Sequence, residues 1–353
     1  MFWDFKHRIE QSVTNFRETT YEAFSRCKLF LKTLPKTSIF FLTVIILECL
    51  LIICFEGYCI GQFRTVELLK NLGIDSLPIS LTLFIFACFF ILYLCVEALS
   101  SKNIIEIIGL LCIHVALFIY SIVQISELAE IQKVFLSKTQ SSLNPITLIL
   151  NRHEAGNEGI YFILEVPKRI KPFLIALPVI LGVASVMLGF LAHGMNKAYG
   201  WVIYKKIGPE LRMRRRYLVY KIYVTLLKID IYFFLGVTVQ YVMVLPEDAV
   251  VEFVLTILVL PLTVLILTLS FNSVSSENMF LMMTVQFFYV CGIPYILFKI
   301  IRMYTSTQKE YYASSKQMIT TFSVITLLLL LFTIAIGFAC SHNFKKGLKE
   351  YCM

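Results

Sequence analysis

The sequence predicts an all-α fold, a polytopic transmembrane helix bundle of about eight spans, and three observations carry that expectation. Apolar segments of about twenty residues, the length that a bilayer core demands of a helix, recur from Ser38 to Ala339. Of the 353 residues 58% are hydrophobic and 16% charged, with mean hydropathy +0.78, where a soluble domain is about half apolar and a quarter charged. The basic residues behind the net charge of +9 cluster beside the apolar segments, where anionic lipid attracts them.

The elements follow in order. Residues 1–37 read as a basic amphipathic arm, with Phe5, Ile9, Val13, Phe16 and Phe24 at mostly helical spacing among seven Lys and Arg. Such a helix lies in the headgroup plane or packs on the protein's own cytosolic face. It lacks the apolar core of a cleavable signal, so the first span is expected to serve as the insertion signal. Spans are expected at about 38–55, 78–96, 104–124, 173–191, 217–245, 250–269, 279–301 and 318–339. The third has the pattern to continue through Leu128, Ile131 and Phe135 until Asn144-Pro145 breaks it. Residues 141–172 then form the longest insertion, with Gly156 and Gly159 as loop signals and Pro167 and Pro172 as helix stops. The transmembrane bundle thus covers 38–340, and a short basic tail covers 341–353. Lys and Arg number 18 on the side that would carry both termini and 11 on the other, which assigns both termini to the cytosol. A seven-span count would flip one of them.

The densest functional signal is the basic stretch holding Lys205, Lys206, Arg212, Arg214, Arg215 and Arg216. Gly208-Pro209 breaks one helix there and starts another, with Glu210 near its positive end. From Pro209 to Leu245 the pattern allows 37 continuous helical residues, about 55 Å and several turns more than a bilayer needs. The arginines then project into the cytosol, either as a docking surface for anionic headgroups or acidic partners or as a positive-inside anchor. No aromatic and basic residues interleave on a soluble domain, which excludes nucleic acid as the expected partner.

Ionisable groups inside a membrane are costly and are functional candidates by default. Lys228 and Asp230 share the fifth span. Two residues apart they do not face each other, so each needs its own partner, and Lys228 has the alternative of snorkelling to the headgroups. Glu48 lies mid-span in the first helix among Ile45, Ile46, Leu50 and Leu51, so it faces the bundle or is protonated. His114, Gln240 and Gln286 are the other intramembrane polar candidates. These residues line a polar pathway or make scattered interhelical hydrogen bonds of about 0.6–2 kcal/mol each. Pro178, Pro261 and Pro294 fall inside spans and are expected to kink them, but no inverted repeat of the transporter kind is evident.

No catalytic motif and no metal-ligand spacing occurs, so neither enzyme chemistry nor a cofactor or metal is expected. Of the ten cysteines, Cys49, Cys54, Cys88, Cys95, Cys112 and Cys291 lie inside spans as small hydrophobes. Cys27, Cys340 and Cys352 lie at or beyond membrane edges, open to palmitoylation.

The stretch Gly200-Trp201-Val202-Ile203-Tyr204-Lys205-Lys206-Ile207-Gly208, its basic patch, and Leu227-Lys228-Ile229-Asp230-Ile231-Tyr232-Phe233-Phe234-Leu235-Gly236 resemble an uncharacterised fungal family of Golgi apparatus multi-pass membrane proteins. The tail Asn343–Lys349 is similar to that family's ending. The turn Gly208-Pro209-Glu210 departs from the family pattern, and the first 140 residues carry no matching motif. The resemblance implies residence in the Golgi membrane, and it singles out Lys228 and Asp230, but it implies no reaction.

The leading functional expectation is therefore a non-enzymatic integral protein of the Golgi or related endomembranes. Its basic cytosolic face would engage anionic lipid headgroups or trafficking proteins. The alternative is a transporter or channel that uses Glu48, His114, Lys228 and Asp230. A seven-span receptor preceded by one extra helix is the third reading.

Overall fold

The computed structural model describes residues 32–64, 76–142, 156–207, 210–244, 250–305, 316–344 and 346. Among these, eight helices and no strand occur: α1 Lys36–Arg64, α2 Ser76–Ser100, α3 Ile104–Ser142, α4 Gly156–Ile207, α5 Leu211–Val244, α6 Val250–Ser276, α7 Met279–Thr305 and α8 Lys316–His342. Each is long and apolar enough to cross a bilayer. Most of the arm, the Asn144-Pro145 break, the Gly208-Pro209 turn, Cys27, Cys352 and residues 345 and 347–353 of the tail lie outside the described residues.

The helices outrun their apolar segments, because polar flanks keep the helical hydrogen-bond pattern once they reach the headgroups. The third does continue past its apolar stretch, as its periodicity predicts, and reaches Ser142. The fourth corrects the sequence reading: Gly156, Gly159, Pro167 and Pro172 lie within one 52-residue helix that also takes in Pro178. A proline removes one helical donor and bends the axis, but a helix in a membrane keeps its remaining backbone bonds because lipid offers no substitute. Pro261 and Pro294 likewise sit inside α6 and α7 on exposed positions.

The packing order divides the bundle into two four-helix units. In the first, α1 and α3 each touch both α2 and α4; in the second, α5 and α7 each touch both α6 and α8. Four spans separate corresponding helices, so the two units run in the same direction through the membrane. Both also use the same turn between their second and third helices. Ser100-Ser101-Lys102-Asn103 and Ser275-Ser276-Glu277-Asn278 place Lys102 and Glu277 at φ 50. The following asparagines cap the next helix, Asn103 Oδ1 accepting from Ile105 N at 3.1 Å and Asn278 Oδ1 from Phe280 N at 3.1 Å. These turns, with Lys36 and His342, mark one face of the bundle, called here the terminal face.

The units join where α5 and α8 meet the first core. Phe322 is fully buried against Tyr120, Tyr232 and Phe233, with ring centroids 5.3, 5.9 and 5.1 Å away. Gly236 makes room for that ring, since a Cβ there would fall 2.7 Å from it.

Candidate functional site

Three helices of the first unit carry a ladder of buried polar residues along their shared seam. On α1, Glu48 and Glu56 are two helical turns apart and face inward. On α3, Glu106, His114, Gln124 and Glu127 occupy one inward stripe, each 6% exposed or less. Helix α2 contributes Ser80 near one membrane face and Glu97 near the other.

The rungs follow in order from the terminal face. Lys228 Nζ of α5 reaches between two carboxylates, donating to Glu97 Oε1 at 2.5 Å and Glu106 Oε1 at 2.9 Å. Glu106 Oε2 accepts from Ser101 Oγ at 3.2 Å. Two turns deeper, His114 Nε2 meets Glu48 Oε2 at 3.2 Å, while its Nδ1 lies 2.9 Å from the Leu110 carbonyl. That second contact orients the ring, because Nδ1 as donor to a carbonyl leaves Nε2 to exchange a proton with the carboxylate. Gln124 Nε2 then donates to Glu56 Oε1 at 3.4 Å, and Ser80 Oγ donates to Glu127 Oε2 at 3.2 Å. From Glu106 to Glu127 the ladder climbs 21 positions of α3, about 32 Å at 1.5 Å per residue and thus the thickness of a bilayer core, about 30 Å.

Three of the four rungs keep an acceptor uncommitted. Glu48 Oε1, Glu56 Oε2, Glu97 Oε2 and Gln124 Oε1 are buried without a hydrogen-bond partner. Buried polar atoms of this kind mark places where water or a proton completes the bonding. Among the described residues no three His, Cys, Asp or Glu side chains gather as metal ligands.

The candidates named from sequence are thereby sorted. Glu48 faces the bundle, and His114 is its partner. Lys228 does not snorkel: its side chain is 13% exposed and held by two carboxylates. Asp230 has a separate partner, as the two-residue spacing required, with Thr333 Oγ1 donating to its Oδ2 at 2.7 Å. Asp230 and Gln286 belong to the second unit, away from the ladder. Gln240 Nε2 donates to the buried Tyr120 hydroxyl at 2.7 Å, a bond across the junction of the units. Gln286 is buried with its amide against Gly337 and the Tyr223 ring; only the missing Cβ of Gly337 admits it. The six sequence candidates therefore do not converge on one pathway, and Glu56, Glu97, Glu106, Gln124 and Glu127 were not among them.

At the terminal face, Lys205, Arg212, Arg214 and Arg215 are exposed, and Arg216 Nη1 donates to the Lys346 carbonyl at 2.9 Å. The Lys206 side chain lies outside the described residues. Cys340 is fully buried in the second core, which corrects its reading as a lipidation site: a thiol without solvent or bilayer access cannot be acylated.

These features define a multi-pass membrane protein whose first unit carries ionisable groups through its whole depth. No protein-family model matches the chain, and no solved structure matches it.

Proposed function

We propose that the protein is a proton-conducting protein of the Golgi or related endomembranes, with both termini in the cytosol and the α1–α2–α3 seam as its path. One observation carries this: the Glu48–His114 rung sits mid-membrane with carboxylates above and below it over the full bilayer thickness. Carboxylate and imidazole are groups that take and release protons by hydrogen bond. A rung of one carboxylate and one nitrogen suits a proton, whereas a cation such as Ca²⁺ takes six or more oxygens. The intervals of about 12 and 15 Å between the first three rungs call for files of about four waters at ordinary O–H···O spacing. Conduction of this kind makes and breaks no covalent bond in a substrate, so it needs neither catalytic motif nor cofactor.

The test is proton flux into liposomes holding the purified protein and a trapped pH-sensitive dye, under an imposed pH gradient with valinomycin and potassium to clamp the voltage. Flux should exceed that of protein-free liposomes and fall at least tenfold in both Glu48→Gln and His114→Ala. Wild-type flux equal to the protein-free control, or unaltered flux in both variants, overturns the proposal.

The exposed Lys205, Arg212, Arg214 and Arg215 favour a second reading beside the first, a basic cytosolic docking face for anionic headgroups or acidic trafficking proteins. Its support is geometric. Helix α5 runs 34 residues, about 51 Å, so its first turns exceed a bilayer core of about 30 Å.

A further inference from the structure

The second unit holds a cavity that the ladder does not reach. It measures about 250 Å³ and lies among α5, α6, α7 and α8, walled chiefly by Phe234, Leu262, Ile266, Phe288, Ile296 and Leu330. Leu262, Phe288 and Cys291 are exposed at mid-helix positions, so the cavity opens sideways toward lipid between α6 and α7. No Lys, Arg, His, Asp or Glu lines it.

Its end toward the terminal face is polar. Tyr289, part of the lining, shares a hydrogen bond with Ser270 at 2.9 Å. Gln286 is one turn before Tyr289, Asp230 one turn before Phe234, and Thr333 one turn after Leu330, all displaced in that same direction. Both amide atoms of Gln286, Asp230 Oδ1 and the Tyr223 hydroxyl are buried without a hydrogen-bond partner. Inside a membrane an orphaned polar group costs several kcal/mol, and three such residues beside one apolar cavity point to a molecule that brings both parts. In the opposite direction Lys299 follows Ile296 by three positions, outside the lining, and its Nζ donates to Thr256 Oγ1 at 3.0 Å and lies over the Tyr241 ring.

We propose that this cavity binds a neutral lipid with a small hydroxyl or amide head. Its alkyl portion fills the apolar chamber and its head engages the Gln286 amide and Asp230. The volume holds about eight methylene-sized groups at about 30 Å³ each, and the rest of the tail leaves through the lateral opening. A phosphate head is disfavoured because no cation lines the chamber and Asp230 stands at its polar end. This site is independent of the proton path, which lies in the other unit.

The experiment uses the full-length protein in nanodiscs and reads the modification rate of Cys291 by monobromobimane, peptide by peptide. Exposed Cys54 and Cys112, in the first unit, serve as internal controls. Hexadecanol should slow the reaction of Cys291 at least fivefold and leave Cys54 and Cys112 unchanged, while hexadecane and hexadecylphosphocholine should have less than a twofold effect. Gln286→Leu should remove the preference for hexadecanol over hexadecane. Gly292→Phe, at a lining position where a Cβ would be 3.5 Å from Leu330, should abolish protection by occupying the chamber. Equal protection by hexadecane or by palmitic acid overturns the assignment of the head, and no protection by any of them overturns the site. The unmodified protein decides the question by itself if Gly292→Phe does not fold.

Discussion

Replacing Lys228 by methionine tests the terminal-face rung. The Lys228 ammonium lies 2.5 Å from Glu97 Oε1 and 2.9 Å from Glu106 Oε1, so those oxygens are at most about 5.4 Å apart, and at an effective dielectric constant of about 20 two charges at that distance repel by about 3 kcal/mol. Methionine keeps the length of the side chain and removes the compensating charge. Glu97 is 33% exposed and Glu106 only 6%, so solvent screens one side of the pair and the net loss should be about 2–3 kcal/mol. At about 2–4 °C per kcal/mol for a large domain, the midpoint of thermal aggregation in detergent should fall by about 5–10 °C. The rung has two carboxylates for one ammonium, so the opposite change should behave differently. Glu106→Gln leaves one carboxylate for one ammonium and should shift the midpoint by less than about 2 °C, since neutralising the surplus charge offsets the lost bond. The double variant should recover at least half of the Lys228→Met loss. A Lys228→Met midpoint within about 1 °C of wild type, or Glu106→Gln as damaging as Lys228→Met, would refute the ion-pair reasoning.

Four further outcomes are expected. Asp230→Asn should leave proton flux within about twofold of wild type, because Asp230 bonds Thr333 in the second unit; loss of flux would place Asp230 on the path. Gly236→Ala should cost about 1–3 kcal/mol by overpacking, since its Cβ would meet the fully buried Phe322 ring at 2.7 Å. By contrast Gly57→Ala, with nothing within 4 Å of its Cβ, should be neutral or stabilising by up to about 1 kcal/mol, and both are read as aggregation midpoints. Replacing Arg212, Arg214 and Arg215 by Gln should weaken cosedimentation with phosphatidylserine vesicles about 100-fold at low salt, at about 1 kcal/mol per residue, and the difference should vanish near 1 M salt, where the Debye length is about 3 Å.

Hydropathy reveals a span because twenty apolar residues leave a mark in any window, and all eight helices lie where that mark falls. The partners within the bundle leave no such mark. Lys228 finds Glu97 and Glu106 across 131 and 122 positions of the chain, so no local pattern announces the rung. Glu56 and Glu97 were lost at the edges of the first and second spans. A carboxylate lowers the local hydropathy and so marks an end to the apolar segment, although the fold buries Glu56 completely beside Gln124. The two-turn spacing of Glu48 and Glu56 was the readable clue, since it puts both on one helical face. Pro167 and Pro172 misled for the converse reason: their breaking tendency in water is strong, and helix α4 overrides it. The orphaned amide of Gln286 has no sequence signal, because it depends on the room left by Gly337 on another helix.

The two units turn one packing plan to different chemical ends. Their inner turns correspond at Asn103 and Asn278, and the same separation in the chain links Glu48 to Tyr223, His114 to Tyr289 and Gln124 to Lys299. In the first unit the middle positions hold a carboxylate and an imidazole in contact at 3.2 Å. In the second they hold two phenols, one bonded to Ser270 and the other beside Gln286. Carboxylate and imidazole are groups that take and release protons by hydrogen bond, whereas a phenol serves chiefly as a hydrogen-bond donor and acceptor. The same helix arrangement therefore gives the first unit groups able to pass a charge across the bilayer. It gives the second fixed donors and acceptors, suited to holding a neutral head beside an apolar chamber. If this division is correct, exchanging the chemistry should exchange the phenotype in one direction only. Tyr289→His in the second unit should create no flux, because among the described residues of that unit Asp230 is the one buried carboxylate, while His114→Tyr in the first should silence a path whose other rungs remain in place.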